Sequence, residues 1–170
     1  LRGALGTAAV AMPSINIDGG STGAFTAAAR AAGLISSSQT FDPYANDENF
    51  LLGAFIFEDV GVTAYKGGAK LLTSATYIEA AAGILAAEAY HAGLVRTVLY
   101  RKGLTTPSLI SSADAISNAR DSLDGTSDLD QGISSPDGGL TSNIVPADGD
   151  SIAFSRTVAQ VHNIAYLTNK

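Results

Sequence analysis

Within residues 46–102 two helical patterns stand back to back, each apolar except for one glutamate near its middle. A seven-residue frame from Leu51 puts Leu51, Ala54, Glu58, Gly61, Tyr65 and Leu72 on one stripe. The same frame from Ile78 collects Ile78, Ala81, Leu85, Glu88, Ala92, Val95 and Leu99. His91 follows Glu88 by three residues, so both side chains leave one helix face. A carboxylate on an apolar stripe is costly to bury unless it is paired, protonated or bound to a metal. The link near residues 68–73 lies about 12 residues from Glu58 and about 17 from Glu88. At ~1.5 Å rise per residue an antiparallel pair leaves an axial mismatch of a few ångströms between the two, which glutamate side chains can span.

Local signals divide the rest of the chain. Residues 1–12 read as a short helical end stopped at Pro13, or as a signal-peptide core with small residues before a cleavage site. The run 22–32 is an Ala-rich helix capped by Ser21 or Thr22 and ended by Gly33. Asn46 or Asp47 caps the first long helix, expected to run to about Lys66 and stop at Gly67-Gly68. Thr76 with Glu79 has the spacing of a capping box for the second, which Gly103 closes. Residues 112–123 form an amphipathic helix, 125–149 a Gly-, Ser-, Asp- and Pro-rich loop, and Thr157 caps a last short helix. The chain therefore reads as all-α, with helices at residues 1–123 and an acidic loop and short helix at 124–170 packed on them.

At 170 residues the chain is long enough for one sizeable core, and it has no cysteine for disulfides or thiolate metal sites. Its net charge of −6 argues against nucleic acid and anionic membranes as partners, and no run approaches a membrane span. Seven aspartates (121, 124, 128, 130, 137, 148 and 150) stand between Arg120 and Arg156 with no Lys or Arg among them. Their mutual repulsion predicts a solvated surface loop for residues 125–149. Asp124 to Gly132, DGTSDLDQG, lacks the ligand spacing and terminal glutamate of a calcium loop. Gly67-Gly68-Ala69-Lys70 is not a phosphate loop, and no Gly-x-Ser-x-Gly elbow occurs.

The candidate site residues are thus Glu58, Glu88 and His91. The alternative is a pair of buried acids satisfied by Tyr65, Arg96 or each other. Glu48 and Glu79 sit at helix starts as first-turn acids, and His162 has no glutamate nearby. Asp59 points about 100° away from Glu58 and is expected at the surface or behind the site.

The runs FLLGAFIFEDVGVTAYKGGAKLL and AAAGILAAEAYHAGLVRTVLY, with FDPYAN at residues 41–46, resemble the ferritin-like desiccation-related protein family. The likeness extends from the first residues to about residue 123 and is concentrated in residues 50–100. It implies a partial ferritin-like helical bundle in which residues 1–12 are the tail of the second helix and the N-terminal half is missing. The partner is then that N-terminal fragment or another copy of the chain. The resemblance implies a structural or protective role in stress, and an extracellular or cell-wall location. Its alternative is a carboxylate di-metal oxidoreductase or storage protein, with iron or manganese held by Glu58, Glu88 and His91. Such centres take a further Glu and Glu-x-x-His from two other helices, and none is visible here.

Overall fold

A computed structural model describes residues 2–135 and 141–168. Its helices are α1 (Arg2–Leu5), continued by a 3-10 turn at Gly6–Ala8, α2 (Ala24–Ala31), α3 (Asp47–Ala69), α4 (Ala75–Gly103), α5 (Ser108–Asp124) and α6 (Val158–Ala165). Among the described residues there is no strand, only an isolated bridge between Ser134 and Ser142. The chain is all-α, as its periodicity predicts.

Helix ends follow local chemistry, with three departures. Asn46 caps α3 by accepting from the Asn49 N–H at 2.8 Å. Thr157 and Gln160 form a reciprocal capping box at the start of α6. The expected box at Thr76 and Glu79 does not form, because α4 starts earlier, with Ser74 at its cap and no side-chain bond there. The helix after Pro107 likewise starts four residues sooner than expected. Gly67-Gly68 does not stop α3, which runs through both glycines to Ala69. Gly67 serves another purpose. A Cβ there would collide with the Arg156 carbonyl oxygen and stand 2.9 Å from its carbon, so glycine admits the C-terminal strand of chain against α3. The Arg156 N–H then donates to the Thr63 carbonyl at 3.0 Å.

The FDPYAN run is a structural corner. Phe41 joins the core, the Asp42 carboxylate accepts from the Tyr44 N–H, and the Tyr44 hydroxyl donates to the Ile17 carbonyl at 2.8 Å. At the same end of the hairpin, Lys102 of α4 meets Glu48 of α3 at 2.6 Å.

The core lies on one side of the α3–α4 pair. Phe25, Leu52, Phe55, Leu99, Leu109, Ala113, Ile116 and Ile133 pack together there. The buried face of α3 is therefore Leu52, Phe55, Asp59 and Thr63, one residue round from the Leu51–Glu58–Tyr65 stripe. Asp59 is only 6% exposed, so of the two positions expected for it, at the surface or behind the site, it takes the second. The reason is a cation from each side: Arg96 Nη1 and Arg120 Nη2 both donate to its Oδ2, at 2.6 and 2.9 Å. Arg120 also reaches Asp130 at 2.7 Å, and Arg156 bridges Asp130 and Asp124 at 2.8 and 2.7 Å. Phe55 lies under both guanidinium groups of the first pair, 4.4 Å from Arg120 and 5.5 Å from Arg96.

The acidic segment is accordingly not all solvated. Asp124 and Asp130 are buried in these pairs, while Asp128, Asp148 and Asp150 are exposed; Asp137 lies outside the described residues. The compensating charge comes from outside the run, from Arg120 and Arg156 at its two edges. Arg96 pins the same segment by donating to the Asn143 and Gln131 carbonyls at 3.0 and 2.9 Å.

Removing one partner of a buried ion pair leaves the other charge uncompensated. Asp59→Ala should therefore lose about 3–5 kcal/mol, measured by urea unfolding followed by circular dichroism. A loss below about 1 kcal/mol would show that the cluster does not hold the fold.

Candidate functional site

Because Asp59 faces the core, Glu58 is turned about 100° away, into the seam with α4. There the structure brings Glu58, Glu88 and His91 together. His91 Nδ1 stands 3.4 Å from Glu58 Oε2, with the histidine side chain 59% exposed and the glutamate 23%. Glu88 lies beside them, half-buried, and its carboxyl rests on the α3 backbone at Gly61. A Cβ at position 61 would overlap Glu88 Oε2 and stand 2.9 Å from its Cδ. Glycine at this one turn below Glu58 is thus what lets the second carboxyl seat itself.

The electrostatics are those of two acids sharing a tight space. Burial raises the Glu58 pKa above the ordinary carboxylate range, and the adjacent Glu88 raises it further by hydrogen bonding and like charge; His91 opposes both. Glu58 Oε2 is buried and accepts no hydrogen bond from any described residue. Arg96 does not relieve it, since its donors go to Asp59 and to the carbonyls of the acidic segment. Tyr65 is two turns away and partly exposed, in a groove with Leu5, Leu72 and Tyr77, and Tyr90 points to solvent.

An unsatisfied buried carboxylate oxygen beside a second carboxyl and an imidazole suits an oxygen- and nitrogen-loving cation. The donor set is nevertheless short. Among the described residues no group of three or more His, Cys, Asp or Glu is spaced to hold a metal ion. His162, the other histidine, stacks edge-on against Tyr166 with ring centroids 5.5 Å apart. In this geometry the three side chains are a short donor set drawn from two helices only.

A profile of the ferritin-like domain matches residues 1–101, the stretch that contains the α3–α4 pair and all three donors. The chain belongs to the ferritin-like domain family. Among curated relatives it is similar to the desiccation-related protein PCC13-62 of Craterostigma plantagineum, 34% identical over 127 residues. That alignment covers 69% of this chain and 41% of the relative, so the chain spans about two fifths of that protein's length. No solved structure matches.

What the sequence did not disclose is the second cluster behind the first. Asp59, Asp130, Arg120 and Arg156 carry no motif and lie up to 97 residues apart, as the difference 156 − 59 gives. The available signal was faint: arginines at 96 and 120 fall on the apolar sides of their own helices.

The raised pKa of Glu58 has a thermodynamic consequence. The folded chain keeps a proton that the unfolded chain releases, so stability falls as pH rises from the ordinary glutamate value through the folded one. Glu58→Gln, which stays neutral, should flatten that fall and be at least as stable as the parent at neutral pH. Thermal unfolding of the metal-free chain between roughly pH 4 and pH 8 checks this, and parallel profiles for the two would contradict it.

Proposed function

We propose that this ferritin-like chain is a desiccation- or stress-related protein with a structural, protective role. The observation that carries the reading is the buried, charge-balanced set of Arg96, Arg120 and Arg156 with Asp59, Asp124 and Asp130, in a chain similar to a desiccation-related protein. Those six groups have already left water on folding. Removing bulk water costs them no further desolvation, and a falling dielectric strengthens their attraction. The exposed aspartates 128, 148 and 150 supply a hydrated, self-repelling surface that opposes aggregation as the chains concentrate. Assembly with a second copy, or with further helices of the same protein, would cover the open α3–α4 face. An extracellular location belongs to the same proposal.

Drying tests it. The chain should regain its helical circular dichroism after air-drying and rehydration, and should preserve a drying-sensitive enzyme better than an equal mass of serum albumin. Protection no better than albumin's would reject the role.

A second reading is favoured by one observation, the unsatisfied Glu58 Oε2 beside Glu88 and His91. Glu58, Glu88 and His91 would hold one iron or manganese ion, and the bound ion's chemistry would be oxidation of ferrous iron or activation of dioxygen or peroxide. The residues' own part is to present two carboxylates and one imidazole from facing helices, with Gly61 leaving room for the second carboxylate. Titration calorimetry with manganese(II) tests it. Glu88→Gln should abolish uptake, and Gly61→Ala should weaken it by displacing the Glu88 carboxyl. Uptake unchanged in Glu88→Gln would end this reading.

A further inference from the structure

Four aspartates of the chain, Asp18, Asp124, Asp137 and Asp148, are each followed by glycine. That pair has a covalent chemistry of its own. The backbone nitrogen of the second residue can attack the aspartyl carboxyl carbon, and glycine, with no Cβ, leaves the approach unhindered. The amide proton and the carboxyl hydroxyl leave together as water, and a five-membered succinimide closes. Water then reopens the ring. Where the bond from the former main-chain carbonyl to nitrogen breaks, the chain runs on through the side chain as isoaspartate.

Asp137 lies outside the described residues, and the structure separates the other three. Asp124 is 4% exposed and its Oδ2 accepts from Arg156 Nε at 2.7 Å, so its carboxyl is not free to turn. Asp18 and Asp148 share a turn type: Oδ1 of each accepts from the N–H two residues on, Gly20 and Asp150, both at 3.0 Å. The ring so closed contains both the carboxyl carbon and the nitrogen it must meet. Space tells the two apart. At Asp18 a Cβ on Gly19 would overlap Asp42 Oδ1, and the Asp18 carbonyl oxygen lies against Gly23, in the way of the swing that closure needs. Residues 148–150 are all exposed, and a Cβ on Gly149 would meet nothing within 4 Å among the described residues. The Gly149 N–H donates to none of them. We propose that Asp148 is the isoaspartate-forming site of this chain on drying, and that its product is a substrate for a carboxyl methyltransferase that esterifies isoaspartyl groups. Closure releases water, so loss of bulk water favours the ring and rehydration opens it. The added main-chain methylene disrupts the turn that the Asp148 N–H to Ile152 carbonyl and Ser151 N–H to Asp148 carbonyl bonds close at 2.9 and 3.0 Å. The site is independent of Glu58, Glu88 and His91, and of the protective role.

Ageing of the purified chain tests it, one sample air-dried, kept warm for weeks and rehydrated, the other kept in solution alongside. Tryptic peptides sequenced by electron-transfer fragmentation tell the two linkages apart residue by residue. Labelled methyl transfer from S-adenosylmethionine by an isoaspartyl methyltransferase measures the product independently. Isoaspartate at residue 148 should exceed that at residues 18 and 124 severalfold, rise on drying, and accept methyl. Gly149→Ala should lose most of it with the helical circular dichroism unchanged, because the added methyl hinders attack yet fits open space, and Gly149 does not hold a positive φ. Absence of isoaspartate at residue 148, or an equal level at residue 18 or 124, overturns the site. An equal level in the solution sample overturns the role of drying, and a level unchanged in Gly149→Ala overturns the succinimide route. Isoaspartate at residue 148 that takes no methyl overturns the assignment as a methyltransferase substrate.

Discussion

The structure depends on the Asp59 carboxylate held between Arg96 and Arg120. Each of these groups would be expensive to bury alone, and each is inside only because the others are. The three come from α3, α4 and α5, so satisfying one acid fixes three helices relative to one another. Asp130 and Arg156 extend the arrangement to the acidic segment and to the chain leading into α6. Phe55 beneath the two guanidinium groups shields the cluster from water and adds a cation–π contact to each.

That interaction also sets the candidate site. Successive helical residues are 100° apart, so drawing Asp59 inward commits Glu58 to the α3–α4 seam. Its neighbours there are Glu88 and His91, with Gly61 leaving the space into which the Glu88 carboxyl settles. Two adjacent acids thus have opposite circumstances. Asp59 meets two cations; Glu58 meets another acid and a mostly exposed imidazole, and its pKa rises.

The acidic segment shows how composition and structure part company. Its aspartates repel when counted together, yet Asp124 and Asp130 are buried because arginines at the edges of the run fold back onto them. Asp128, Asp148 and Asp150 are exposed as the count suggests, while Asp121 on α5 is half-buried. Gly67 is a similar case: a helix terminator by residue type, it is instead the point where the Arg156 backbone crosses α3.

What the sequence by itself determined is local. Helical period, Asn46 and Thr157 as caps and the short link after Ala69 are set by interactions within a few residues. So is the shared face of Glu88 and His91, and together these sufficed to place Glu58 opposite them. Which acid on α3 is buried was decided only by tertiary structure. The answer turns on cations 37 and 61 residues away in the chain, Arg96 and Arg120, and on whether packing carries them to Asp59. A periodicity argument sees that one face of α3 is apolar, but not that a charge one residue off that stripe finds its partners and moves the buried face with it. Charge burial is a property of pairs, and only the folded chain brings the pairs together.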